Sequence, residues 1–147
     1  MKKKLDIVGC IESVSFPELG VVDVLAKVDT GAFSGAIHCT DIKVYRNLAT
    51  GRRILRFTPA GDDGKRAETE DFKQTYIRSA TGHRMRRFLI TTKIVIRSVE
   101  YPILIGLSDR SDMKRPVLLG RRFLRENNLL VDVRINQELD DEGENTK

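Results

Sequence analysis

The chain has 147 residues, of which 40% are hydrophobic and 32% are charged, and its formal net charge at pH 7 is +5. This length is enough for one hydrophobic core and is short for two domains. The apolar runs are brief, and none approaches the ~20 residues that a membrane-spanning helix needs, so no membrane association is predicted.

The N-terminal segment superficially resembles an export signal. Three lysines precede a short apolar stretch, which Asp6 interrupts and Glu12 ends. A signal peptide needs an apolar run of about 7–15 residues, so this segment does not qualify. Residues 5–14 are instead predicted to form the first strand, and the protein is expected in the cytoplasm, where Cys10 and Cys39 would be reduced.

Strand signals dominate the rest of the chain. Apolar or alternating residues between turn signals predict further strands at 21–28, 54–58, 72–78, 84–97, 99–107, 117–119 and 129–133. A turn at Ala80-Thr81-Gly82 would join two of these into a hairpin. The one predicted helix begins just after Gly120 and covers about residues 121–127. Many short strands and one late helix favour a mainly β fold, a small closed barrel with a short C-terminal helix.

The C-terminal residues differ in charge from the rest. Five acidic residues against one lysine lie in residues 137–147, so the body before them is more basic than the whole chain. We predict one folded domain over residues 1–136 and an acidic disordered tail over 137–147. A basic body suits an acidic partner. Because only 6% of the residues are aromatic and no nucleic-acid motif is present, an acidic peptide is favoured over nucleic acid.

The chemistry is suggested by the turn Asp29-Thr30-Gly31, which follows the valine-rich strand. A carboxylate held there by backbone N–H groups can stay ionised and face a cleft, and Gly31 permits close backbone approach. Aspartate and glycine are also ordinary turn formers, so the motif alone is a weak signal.

A second segment strengthens the motif. Leu118-Leu119-Gly120-Arg121 comes about 90 residues later, and the pair resembles the retropepsins, in which such a segment lies beside the catalytic loop and supports it. Residues 78–84 and 107–113 narrow the resemblance to a bacterial family labelled ATP-dependent zinc protease, which is linked to ATP-grasp ligases that add glutamates to proteins. The resemblance covers residues 8–134. Phe33 departs from it, because the family often has a basic or polar residue there.

The resemblance implies an aspartic peptidase with Asp29 as its catalytic aspartate. In that mechanism two carboxylates share one proton, and this chain has a single Asp-Thr-Gly. A symmetric homodimer would supply the second copy, with Thr30 bracing the two loops and Gly31 allowing them to meet. A monomer in which Asp29 works with Asp109 or Asp112 is the alternative.

The substrate implied by the family and the charge is an acidic or glutamate-tailed peptide, with a functional link to an ATP-grasp ligase. Arginine binds carboxylates bidentately, and many basic residues lie near the motif segments. The substrate-binding candidates are Ala32, Arg78, His83, Arg110 and Arg121. Arg121 has a second interpretation, as a residue that only supports the fold.

The residues give little support to the zinc binding and the ATP dependence that the family label names. The chain has neither a phosphate-binding Gly-x-x-x-x-Gly-Lys-Ser/Thr loop nor a His-Glu-x-x-His motif. No metal ligand and no cofactor are therefore predicted. A zinc-dependent protease that uses His38 and His83 stays an alternative, as does a non-catalytic binding or dimerisation module.

Overall fold

A computed structural model describes residues 6–60, 65–78 and 81–140 of the chain. The fold is mainly β. Its strands are β1 (Asp6–Val8), β2 (Ile11–Phe16), β3 (Val21–Val28), β4 (Ala36–Arg46), β5 (Arg53–Pro59), β6 (Ala67–Thr69), β7 (Lys73–Arg78), β8 (Arg84–Ile96), β9 (Val99–Ser108), β10 (Val117–Leu119) and β11 (Leu129–Val131). One α-helix, α1 (Arg121–Glu126), follows β10, and short 3-10 helices lie at Pro17–Leu19 and Gln137–Leu139.

Six of the strands close into a barrel. Hydrogen-bonded neighbours run in the order β10, β3, β2, β8, β9 and β4, and β4 also pairs with β10 to complete the ring. β5 and β6 extend the sheet beyond β4, and β7 pairs with β8 outside the ring. The predicted closed β-barrel with one short helix is thereby confirmed.

The barrel core follows from the two-residue repeat of its strands. In β9 the side chains of Tyr101, Ile103, Ile105 and Leu107 are all buried, and they alternate along the strand. Alternate residues of a strand point to opposite faces of the sheet, so this pattern directs one apolar face inward. Of the helices in the described ranges, none has the length and apolar character to cross a membrane.

The predicted first strand is divided into two, which corrects the expected range 5–14. β1 pairs with β11 in a separate two-stranded sheet, whereas β2 belongs to the barrel. The break lies at Gly9, where a Cβ would collide with the carbonyl oxygen of Ile135. The backbone at Ile135 passes close to Gly9, and the chain turns there between β1 and β2.

The buried carboxylate of Glu12 ties this break to the β8–β9 turn. Glu12 is 3% exposed and accepts a hydrogen bond from the Gly9 N–H at 2.6 Å. Nη2 of Arg97 donates to the same carboxylate at 2.7 Å. A buried carboxylate is stable only when paired and hydrogen-bonded, and here both conditions are met.

The later elements agree with the sequence, with small differences at their ends. β7 and β8 form the predicted hairpin, and Gly82 in its turn has a φ of +86°, which favours glycine. Ala80, also predicted in this turn, lies outside the described residues. The helix ends at Glu126 and β11 at Val131, each slightly earlier than predicted.

The C-terminal boundary also differs from the prediction. Residues from 137 onward were expected to be disordered, but Gln137–Leu139 form a 3-10 helix. The carbonyl oxygen of Leu139 accepts a hydrogen bond from Nη2 of Arg115, which ties this helix to the segment before β10. Residues 141–147, the rest of the predicted tail, lie outside the described part of the chain.

Candidate active site

The loop after β3 holds Asp29 by backbone contacts on both sides. The N–H of Asp29 donates to the carbonyl oxygen of Leu119 at 2.9 Å, and the N–H of Ala32 donates to the carbonyl oxygen of Asp29 at 3.2 Å. Oδ1 of Asp29 accepts a hydrogen bond from the N–H of Gly31 at 2.8 Å. Asp29 is partly exposed, and Thr30 and Gly31 are exposed. The loop thus presents an oriented carboxylate at the surface of the barrel.

The segment after β3 is supported by β10, as predicted. β10 runs parallel to β3 with Leu119 opposite Val28. Beyond it, the N–H of Arg121 donates to the carbonyl oxygen of Ala32 at 2.8 Å. At Gly120 a Cβ would lie only 2.6 Å from the carbonyl oxygen of Phe33. Glycine is required at position 120 because the two segments pack backbone against backbone.

The side chain of Arg121 also supports the loop. Its Nη1 donates to the carbonyl oxygen of Gly31 at 3.1 Å and lies 3.4 Å from that of Thr30. Its guanidinium lies 5.5 Å from the centre of the Phe33 ring. These contacts favour the interpretation of Arg121 as a supporting residue, and Phe33 supplies the ring on which it packs.

A cleft of about 380 Å³ lies between the β7–β8 hairpin and the barrel. Ser34, in the same segment as Asp29, lies on its wall. The hairpin contributes Ile77 and Met85, which are 42% and 51% exposed. The full lining is Ser34, Ala36, Ile42, Ile77, Met85, Arg86, Arg87, Leu107, Ser108, Asp109, Arg110 and Leu118. The cleft therefore combines apolar walls with arginines, and Ser34 brings the segment that follows Asp29 into its lining.

Of the predicted substrate-binding residues, Arg110 lies in this cleft. Its backbone N–H donates to Nδ1 of His38 at 2.8 Å, and its Nε donates to the carbonyl oxygen of Arg115 at 3.1 Å. Burial lowers the pKa of the Arg110 guanidinium. Because Nδ1 of His38 accepts this hydrogen bond, the proton of the neutral ring is assigned to Nε2.

Two other candidates lie away from the cleft walls. Arg78 and His83 flank the turn of the β7–β8 hairpin, and both are exposed. Arg78 is paired across the hairpin with Arg84, whose guanidinium lies 4.2 Å from the centre of the Tyr76 ring. Neither Arg78 nor His83 is therefore among the residues that line this cleft.

Arg87 is a cleft residue that the sequence analysis did not select. Its Nη2 donates to the carbonyl oxygen of Gly35 at 2.7 Å. A Cβ at Gly106 would lie 2.8 Å from its Cζ, so the guanidinium packs directly on that glycine. Burial lowers the pKa of the Arg87 guanidinium. The available signal was its position in the basic run of residues 84–87, which does not show which side chain points inward.

Asp109 is engaged within its own loop. Its carboxylate accepts hydrogen bonds from the hydroxyl and the backbone N–H of Ser111, and these hold the pKa of Asp109 below its usual value. Nδ1 of His38 lies 3.8 Å from Oδ1 of Asp109. Among the described residues, no hydrogen bond joins Asp29 to Asp109 or Asp112, so the alternative of a monomeric carboxylate pair gains no support.

The side chains do not fit a bound zinc ion. Within residues 6–60, 65–78 and 81–140, no group of three or more His, Cys, Asp or Glu could hold a metal. Nδ1 of His38 already accepts the Arg110 N–H, and His83 lies at the turn of the hairpin. Cys39 is fully buried among the apolar side chains of the core, and burial raises the pKa of its thiol to about 12.

The barrel and the Asp-Thr-Gly loop supported by β10 define a retropepsin-like aspartic peptidase fold. A family model described as "Retropepsin-like aspartic endopeptidase RimB" matches residues 7–140, and the chain belongs to this RimB-like family. A crystal structure of a Legionella pneumophila protein of unknown function has the same fold. The TM-score is 0.67 at 25% identity, and the match covers 89% of this chain and 95% of that one.

The curated relatives are longer proteins, and their names describe a ligase and not a peptidase. A "Probable alpha-L-glutamate ligase" of Desulfotalea psychrophila is 29% identical over 129 residues, which are 86% of this chain and 28% of the relative. One of the same name from Parasynechococcus marenigrum is 28% identical over 144 residues, which are 96% of this chain and 30% of the relative. The chain thus spans less than a third of the curated relatives that it matches.

Proposed function

We propose that this protein is an aspartic peptidase that hydrolyses peptide bonds in acidic or glutamate-tailed peptides. The observation that carries the proposal is the Asp29 loop, whose carboxylate is oriented by the Gly31 N–H and whose backbone is held by β10. The cleft under the β7–β8 hairpin, whose lining includes Ser34 from the segment after Asp29, is the candidate site for the peptide.

The proposed chemistry needs two carboxylates that share one proton. The ionised carboxylate takes a proton from water as the water oxygen bonds to the peptide carbonyl carbon. The protonated carboxyl gives its proton to the carbonyl oxygen, which yields a tetrahedral diol. The carboxyl that took the water proton then gives it to the nitrogen as the C–N bond breaks, and a hydroxyl of the diol gives its proton to the other carboxylate as the new carboxyl group forms, which restores one shared proton. The titration of such a site belongs to the pair of carboxylates.

A homodimer would supply both carboxylates. The chain has one Asp-Thr-Gly, and the carboxylate of Asp109 is engaged by Ser111. Thr30 and Gly31 are exposed at the surface of the barrel, where a second copy could reach them. In the proposed dimer a two-fold axis passes between the two Asp29 loops, with Thr30 bracing them and Gly31 allowing their approach.

The charge of the cleft and the relatives together suggest the substrate. The lining contains three arginines and one aspartate, so an acidic peptide would be attracted. Relatives named as alpha-L-glutamate ligases contain a segment similar to this chain. We therefore propose glutamate-modified protein as the substrate, with a functional link to a ligase that adds the glutamates.

The test of this proposal is hydrolysis of glutamate-tailed peptides by the wild-type protein and by Asp29→Asn. Loss of the group that activates water should lower kcat/KM by about 10²–10⁴-fold. The comparison is Asp109→Asn, which removes the carboxylate of the alternative monomeric site and an acidic residue of the cleft lining, and which should lower kcat/KM far less than Asp29→Asn. Equal activity of Asp29→Asn and wild type, or loss of activity only in Asp109→Asn, would contradict the assignment of Asp29.

A further inference from the structure

The floor of the cleft contains two guanidinium groups that lack a described acidic partner. Arg87 has five N–H donors, and the structure records one acceptor for them, the carbonyl oxygen of Gly35. The recorded acceptor of the Arg110 side chain is the carbonyl oxygen of Arg115. Neither side chain forms an ion pair with any residue of the described ranges. Other arginines do, for example Arg56 with Glu68.

Arg87 is half-buried, and a half-buried guanidinium that forms no ion pair with the residues the structure describes is unusual. A desolvated guanidinium normally gains a carboxylate or several hydrogen-bond acceptors in exchange for lost water. Burial lowers the pKa of the Arg87 group, but arginine stays protonated at neutral pH. A carboxylate brought by a ligand would therefore recover more free energy here than at a fully solvated arginine.

The backbone around Arg87 is arranged to accommodate its guanidinium. Gly106 presents no side chain to it, and a Cβ there would lie within 2.8 Å of Cζ. The Gly35 carbonyl oxygen receives both the Arg87 Nη2–H and the Gly106 N–H, the latter at 3.1 Å. Gly35 lies in the segment between the Asp29 loop and β4, so this guanidinium contacts the segment that follows the proposed catalytic loop.

The other lining residues suit the side chain of glutamate. Ile77, Met85 and Leu107 line the same cleft and can contact methylene groups. Asp109 is the one acidic residue among the described lining residues, and its carboxylate is hydrogen-bonded to Ser111. A side chain with an apolar stem and a carboxylate tip would match both the walls and the floor.

We propose that Arg87 and Arg110 form a subsite that binds a glutamate side-chain carboxylate of the peptide substrate. This inference rests on the proposed function, because it takes a peptide as the ligand of the cleft. It assigns a specificity-determining role to Arg87 in particular. Arg87 also positions Gly35, so its test must separate recognition of the carboxylate from support of the loop.

The experiment measures binding and not turnover. The full chain carrying Asp29→Asn is titrated with a fluorescent peptide that contains a run of glutamates, and with the same peptide carrying glutamines. Both peptides are amidated at the C-terminus, so that only side-chain carboxylates differ. Arg87→Gln and Arg110→Gln are added separately to this background. Arg52→Gln is the matched control, because it removes an exposed arginine paired with Glu70 outside the cleft.

The expected result is tighter binding of the glutamate peptide, with the preference reduced about 10-fold by Arg87→Gln and by Arg110→Gln. Arg52→Gln should leave the preference unchanged. Arg87→Lys retains the charge but loses the planar fork of the guanidinium. Its preference for the glutamate peptide should therefore lie between those of Arg87→Gln and the parent. If Arg87→Gln does not fold, Arg110→Gln and Arg87→Lys carry the test.

Two outcomes would overturn the subsite. One is a parent protein that binds the two peptides equally. The other is a pair of cleft variants that weaken both peptides by the same factor, which would show a supporting role alone. Because binding is measured without catalysis, a protein that recognises glutamate but hydrolyses nothing would contradict the peptidase proposal and leave the subsite supported.

Discussion

Three side chains show how local environment sets their roles: Asp29 in the loop after β3, Arg87 in the cleft and Cys39 in the barrel core. Asp29 is partly exposed and oriented by one backbone N–H, which leaves its carboxylate accessible. Arg87 is half-buried on a glycine and donates to a single described carbonyl oxygen. Cys39 is fully buried, and its thiol pKa is raised to about 12. Burial and hydrogen-bond partners thus keep the Asp29 carboxylate accessible, the Arg87 cation desolvated and the Cys39 thiol neutral.

The buried thiol gives a prediction at this scale. Because its pKa is raised, the thiol of Cys39 stays neutral in the folded protein. Its contribution to the free energy of unfolding is complete below about pH 9 and is lost as the pH rises towards 12. At mildly alkaline pH, alkylation followed by mass spectrometry should therefore find Cys39 unmodified in the native protein and modified after unfolding. Cys39→Ala reports the labelling of Cys10 alone. Rapid labelling of Cys39 in the native protein would contradict its burial.

Among the elements, β10 contributes most to the site relative to its length. It inserts between β3 and β4, and the residues after it hydrogen-bond to the segment that follows Asp29. This support depends on backbone contact at Gly120, because no side chain fits between that residue and Phe33. A short strand of the barrel therefore supports the Asp29 loop.

Gly120→Ala should test that connection. Its Cβ would lie 2.6 Å from the Phe33 carbonyl oxygen, and relief of this overlap should lower the free energy of unfolding by about 1–3 kcal/mol. Denaturant unfolding measures the loss. Gly20→Asn is the control, since nothing lies within 4 Å of Gly20 and asparagine tolerates its φ of +70°. Equal stability of Gly120→Ala and wild type would argue against close packing here.

The sequence predicted most of the barrel strands, the hairpin and the support of the Asp29 loop, because each has a local apolar pattern or a motif. It did not predict β4, although Ile37 and Cys39 are buried there. In β4 the pairing register shifts between Thr40 and Lys43, and Asp41 has a φ of +53°, so the alternation is broken in its middle. A bulge of this kind is visible only once the neighbouring strand is placed.

The cleft residues show a different limit. Arg87 belongs to a run of similar basic residues, and period-two alternation divides that run between two faces without saying which face is covered. Its burial depends on the fold of the β7–β8 hairpin over Gly106, a residue of a different strand. Long-range packing of this kind leaves no local pattern. The sequence therefore favours Arg78 and His83 as substrate-binding residues and does not single out Arg87.

At the scale of the whole molecule, one chain supplies half of the proposed peptidase site. The fold belongs to the RimB-like retropepsin family, and each barrel has one Asp-Thr-Gly loop. Aspartic chemistry needs two carboxylates, so the proposed active unit is a pair of identical barrels related by a two-fold axis. The activity should then depend on the composition of the pair.

The most direct test is the specific activity of mixtures of wild type and Asp29→Asn that are unfolded together and refolded. If both Asp29 residues of a dimer are needed, an equal mixture should retain about a quarter of the wild-type activity, because random pairing leaves that fraction of dimers fully wild type. Wild type refolded with an unrelated protein provides the reference for dilution. Retention of about half of the activity, in proportion to the wild-type fraction, would show that each chain acts alone and would contradict the account.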